Sequence, residues 1–163
     1  MNLSVTGSNG GATVTTNVNA LSLNGVEKVS VLNFQTLALT GNTFAATIDA
    51  SLFDSSLATL ALGASSSTAT MGDTSFTNVQ KIVNAEMSQG VGSLNVGIIG
   101  TATAGTADAM SLTLANQTGG TFTAAGIETL NVVSNTSANT VTLASGFKTV
   151  NVSGAVKATF GAL

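Results

Sequence analysis

Ile127-Glu128-Thr129-Leu130-Asn131-Val132 and, twenty residues on, Phe147-Lys148-Thr149-Val150-Asn151-Val152 are two copies of one pattern: apolar, any, polar, apolar, any, apolar. The pattern recurs upstream as Val26-Glu27-Lys28-Val29-Ser30-Val31 and Phe34-Gln35-Thr36-Leu37-Ala38-Leu39. Further copies are Leu57-Ala58-Thr59-Leu60-Ala61-Leu62 and Val91-Gly92-Ser93-Leu94-Asn95-Val96. Weaker copies end in Leu112-Thr113-Leu114 and Val141-Thr142-Leu143, and Val79-Gln80-Lys81-Ile82-Val83-Asn84 loses its last apolar residue. Within each copy apolar and polar side chains alternate, so a strand built from it turns one face inward and the other to water.

Taking the fourth position of each copy as a marker, the series runs 37, 60, 82, 94, 112, 130, 150. Apart from the short interval from 82 to 94, the steps are 18–23 residues, and extra copies fall about half a step away at 29 and 141. A repeating unit of that length holding two or three short strands predicts an all-β chain, a parallel β-helix (β-solenoid) with coils of about 18–23 residues. Val, Ile and Thr favour the extended backbone, and Gly and Asn accept the positive φ of corners. Pro is absent, as suits interior coils whose backbone N–H groups all donate to a neighbour. Two stretches also fit helical spacing: Phe76, Val79, Val83 and Met87 within 76–89, and Phe44, Ile48 and Leu52. Ser65–Thr68 and 101–105 read as loops. Without a linker-like segment, residues 1–163 form a single domain in this reading, a piece of a larger surface protein.

Composition removes whole reaction classes. Thr, Ser, Asn and Gly fill 77 of 163 positions, while His, Cys, Arg, Trp, Tyr and Pro are missing. That leaves no imidazole base, no thiolate and no Zn or Fe–S site of ordinary type, so the expectation is that the chain is not an enzyme. Four Lys against seven acids, net −3, cannot neutralise a phosphate backbone, which argues against nucleic acid. No run approaches the roughly 18–20 apolar residues of a membrane span. No basic and apolar leader is visible after Met1.

Gly126-Ile127-Glu128-Thr129-Leu130-Asn131-Val132 and Gly146-Phe147-Lys148-Thr149-Val150-Asn151-Val152 resemble the Gly-apolar-Glu-Thr-Leu-Asn-Val units of bacterial surface-layer (S-layer) proteins. Thr47-Ile48-Asp49-Ala50-Ser51, followed by the copy at 57–62, resembles the Asp-Ala-Ser units of the same group of type I-secreted β-helical repeat proteins. The likeness runs from about residue 25 to 153 through short, low-complexity motifs. It implies a parallel β-helix at the bacterial cell surface, exported by type I secretion, that assembles with copies of itself and neighbouring domains of its parent into a lattice. It also implies dependence on calcium. One departure is that the Gly-Gly-x-Gly-x-Asp calcium nonapeptide does not occur: Gly10-Gly11 and Gly119-Gly120 lack what should follow.

Within the chain, Asp49 and Asp54 are the candidate calcium ligands, with Ser51, Ser55 and backbone carbonyls completing the six to eight oxygens that the ion takes. The alternative is that Asp49 bonds N–H groups of a turn and Asp54 is solvated. No catalytic or other cofactor residue is expected. Asp73 and Asp108 read as turn formers, and Glu27, Lys28 and Glu128 as outward positions. Thr101/Thr103, Thr121/Thr123 and Thr140/Thr142 would stack as a hydroxyl ladder if one coil separated them, which is how a solenoid can bind ice. The expected function is a structural one, a rigid self-associating rod of a two-dimensional surface lattice. An adhesin or receptor-binding module is the alternative, and a Thr-ladder ice-binding solenoid the third.

Overall fold

A computed structural model describes residues 1–7, 14–19, 21–35, 44–63, 70–144 and 146–161. Among them every regular element is a strand. Neither stretch with helical spacing forms a helix: Phe44 and Ile48 lie on β4 (Phe44–Asp49) with Leu52 in the turn beyond it, and Phe76 and Val79 lie on β7 (Asp73–Val79), Val83 in the connection and Met87 on β8 (Asn84–Gly90). Residues 36–39 and 65–68, which the sequence assigns to a repeat copy and a loop, lie outside the described residues.

The strands pair in two parallel ladders. One runs β1 (Asn2–Gly7), β3 (Lys28–Gln35), β5 (Thr59–Gly63), β8, β10 (Ala109–Thr123), β11 (Thr129–Asn135) and β13 (Thr149–Gly154). The other runs β2 (Val14–Val18), β4, β7, β9 (Leu94–Ile98), β10, β12 (Asn139–Leu143) and β14 (Ala158–Phe160). Consecutive strands thus alternate between ladders, and β10 is long enough to serve both, joining them into one curled sheet. The exception is β6 (Thr70–Met71), a two-residue strand antiparallel to the end of β3.

Pairing offsets measure the repeat directly. Ala109 pairs with Thr129 and Thr129 with Thr149, twenty residues each, and Thr74 pairs with Leu94 at the same distance. Asn139 pairs with Ala158, nineteen residues on. Earlier offsets exceed the expected 18–23: Lys28 pairs with Thr59, Thr59 with Asn84 and Ala45 with Asp73, at 31, 25 and 28 residues. The extra residues sit in connections rather than in the paired strands, where an odd insertion would turn every side chain over. The segment 99–108, for example, makes an excursion between β9 and β10 before pairing resumes.

Alternation then builds the core. Val29, Leu60, Ala85, Leu112 and Val132 follow one another in register across five strands, and each is 0% exposed. In the second ladder Ile48, Phe76 and Val96 form an equivalent column, also fully buried. Gly120 marks the bulge where β10 passes between ladders. Its φ is +82°, and a Cβ there would come within 2.2 Å of the Gly92 carbonyl oxygen, so only glycine fits.

Candidate functional site

Two regions carry the residues that the sequence singles out: the turn from Asp49 to Asp54, and the outward face of the second ladder.

In the turn, both carboxylates accept from N–H donors. Asp49 Oδ1 accepts from the Ser51 amide at 3.0 Å and from the Asn78 side-chain amide at 3.1 Å. Asp54 Oδ2 accepts from the Gly25 amide at 2.8 Å, and its Oδ1 from the Ser56 amide at 3.0 Å. These bonds hold both carboxyls below the ordinary Asp range, chiefly through the Ser51 amide for Asp49 and the Gly25 amide for Asp54. Asp49 is the turn former that the alternative reading describes, whereas Asp54 is more than a solvated carboxylate, since it ties the turn to Gly25 on the preceding connection. Calcium needs six to eight converging oxygens, but the groups converging on these carboxylates are N–H donors. Among the described residues no three of His, Cys, Asp and Glu come together. The donor set does not fit a calcium ion.

Asp73, Glu86 and Glu128 also bond within the chain. Asp73 opens β7 and accepts from the Ser93 amide at 3.0 Å. Glu128 precedes β11, accepts from the Asp108 amide at 3.0 Å and lies 3.6 Å from Lys148. Lys28 and Glu86 form an ion pair from strands on either side of β5. Between them Ala61 is 3% exposed although Leu60 and Leu62, its neighbours, already point inward. Lys28 and Glu86 thus lie on the first ladder with Glu128 and Lys148 beside it, while Asp49 and Asp73 sit at the ends of the second-ladder strands β4 and β7.

The threonine ladder exists, with different members from those expected. Thr118 pairs with Thr140 and Thr140 with Thr159, giving a three-strand column on the outward face of the second ladder. Thr121 pairs with Thr142, while Thr123 pairs with Asn95. Thr101 and Thr103 lie in a turn instead of a strand. The register shifts between Thr118 and Thr121 at the Gly119-Gly120 bulge, so the rows are not evenly spaced.

One polar cluster escapes sequence reading. Asn139, Gln117 and Ser134 are each 1% exposed or less. Asn139 Oδ1 accepts from the Gln117 amide at 2.7 Å, and its Nδ2 donates to Ser134 Oγ at 2.8 Å and to the Ser137 and Asn135 carbonyls at 2.8 and 3.1 Å. Gln117 in turn donates to the Gly119 carbonyl at 2.6 Å. Asn139 shares the parity of buried Val141 and Leu143, which is the signal that it points inward. Its role is to satisfy backbone groups at the corner between ladders, where no strand partner is available.

No protein-family model matches the chain, nor does any curated protein or solved structure. No helix among the described residues is long and apolar enough to cross a membrane.

Proposed function

We propose that this chain is a structural component of a bacterial cell-surface layer, a stiff β-helical rod that associates with copies of itself and with neighbouring domains of a larger parent protein. Its location would be extracellular, reached by type I secretion, and its role mechanical rather than catalytic. The observation that carries the reading is the twenty-residue parallel register of β10, β11 and β13, with apolar side chains fully buried in register on β10 and β11. Each turn of a β-helix closes its backbone hydrogen bonds on the next, and that repetition gives rigidity without a thick core. Sparse charge, 7% of residues, lowers the repulsion that keeps most protein surfaces apart.

Assembly is the test. The purified chain is expected to associate with rising concentration in light scattering and to form ordered sheets in negative stain. A chain that stays monomeric at high concentration, with or without calcium, speaks against the lattice role. Monomers that bind a glycan or a host protein would instead support the adhesin reading. The Thr118–Thr140–Thr159 column favours ice binding to a limited extent, and absence of thermal hysteresis removes that reading.

A further inference from the structure

We propose that the outward face of the second ladder, centred on Thr121, Thr123, Thr140 and Thr142, is where one copy of the chain lies against a second copy. This rests on the self-association reading above and specifies the surface it uses. Three observations select the face. First, copies of a chain with net charge −3 repel one another wherever their charges meet. The four strand segments from β9 through β14 on this face carry none, whereas the first ladder displays Lys28 and Glu86, with Glu128 and Lys148 beside β11 and β13. Charge depletion is also the compositional mark of interface centres. Second, the outward residues are short hydroxyls and amides aligned across strands: Ser75 with Asn95, Asn95 with Thr123, Thr121 with Thr142, and Thr118 with Thr140 and Thr159. Short outward side chains let two such faces approach one another, as stacked sheets do at about 10 Å.

Third, the charges at its rims differ in sign. Asp73 opens β7 at one end, and Lys157 precedes β14 at the other. A two-fold axis that reverses the order of the strands brings the Asp73 end of each copy to the Lys157 end of its partner, as an isologous contact requires. Five strands, β7 to β14, about 4.8 Å apart and each roughly 16 Å long, give a face of about 380 Å². That is near half of the roughly 800 Å² per partner in a stable complex. The contact is therefore weak and concentration-dependent, suited to a lattice in which many such contacts act together.

Sedimentation equilibrium on the full chain tests it with a matched pair. Thr140 and Thr149 are both exposed strand threonines, one on each ladder. Thr140→Lys is expected to weaken self-association at least tenfold, and Thr149→Lys by less than twofold. Lys157→Glu, which sets an acid opposite Asp73, is expected to weaken it as well. Thr159→Lys is a second probe of the same face, and circular dichroism checks that each variant keeps its strands. If Thr149→Lys weakens association as much as Thr140→Lys, or if Thr140→Lys and Thr159→Lys leave it unchanged, this face is not the contact while the self-association reading stands. An unchanged Lys157→Glu overturns the reversed two-fold. A wild-type chain that never associates overturns the self-association reading itself.

Discussion

β11 and β13 are neighbours in one ladder, paired residue for residue from Thr129 with Thr149 to Ser134 with Gly154. Their patterns are almost interchangeable: Thr-Leu-Asn-Val in one, Thr-Val-Asn-Val in the other. Yet Leu130 and Val132 are 0% exposed, whereas Val152, in register with Val132, is 52% exposed. A strand's own alternation therefore decides which side chains face inward, but only a strand on each side buries them. β11 lies between β10 and β13, while β13 pairs with β11 alone among the described residues. Outward contacts show no such contrast, because Asn151 still donates to Asn131 Oδ1 at 2.9 Å across the pair.

The largest expected effect tests this difference directly. Leu130→Ala opens a cavity in a fully enclosed column and is expected to cost about 2–5 kcal/mol, against less than about 1 kcal/mol for Val152→Ala. Chemical denaturation of the two variants measures both, and equal losses would mean that β13 is as enclosed as β11. An intermediate effect sharpens the contrast at the corners. Asn139 pairs in register with Ala158, so the inward amide that staples the corner after β11 has no counterpart one strand on. Asn139→Ala leaves buried carbonyls at that corner without donors and is expected to cost about 1–3 kcal/mol, while Ala158→Gly, which removes no hydrogen-bonding group, should cost about 1 kcal/mol or less.

The smallest effect concerns the Asp49 and Asp54 turn, far along the chain from both strands. Both carboxyls titrate below the Asp value of 3.8 because amides donate to their ionised forms. A carboxyl depressed in the folded state contributes stability above its unfolded value, and that contribution disappears as pH falls through the folded value. Thermal stability is thus expected to decline as pH drops below 3.8, and less steeply in Asp49→Asn and Asp54→Asn. A low-pH profile that these substitutions leave untouched would remove the carboxylates from the account.

Alternation made the strands legible, and the parallel pairing of copies about twenty residues apart was legible at the C-terminal end. Exact register was not, for a definite reason: a period of two looks the same after any even shift. The copy ending in Leu112-Thr113-Leu114 carries its marker at Leu112, but Met110 is the residue that pairs with Leu130. The two steps of 18 and 20 are accordingly both twenty. The anomalous interval from 82 to 94 has a related origin. Ile82 lies in the connection between β7 and β8, and Leu94 belongs to the second ladder, so the two markers never shared a column. In the candidate site, the turn-forming role of Asp49 was readable from its neighbours. The bond from Gly25 to Asp54, twenty-nine residues apart, was not, because nothing in the local sequence announces it. The charge-free face emerged only once the ladders separated residues that composition had pooled.

The continuity of β10 across both ladders bears on how such a chain can change over generations. Because one unbroken strand takes part in both faces and pairing resumes in phase after the excursion at 99–108, connections can lengthen while strands hold their places. Gain or loss of one whole twenty-residue unit would leave both faces intact and alter only the reach of the molecule. A gene for this protein could thus vary in length by duplication with no need to reinvent its surface.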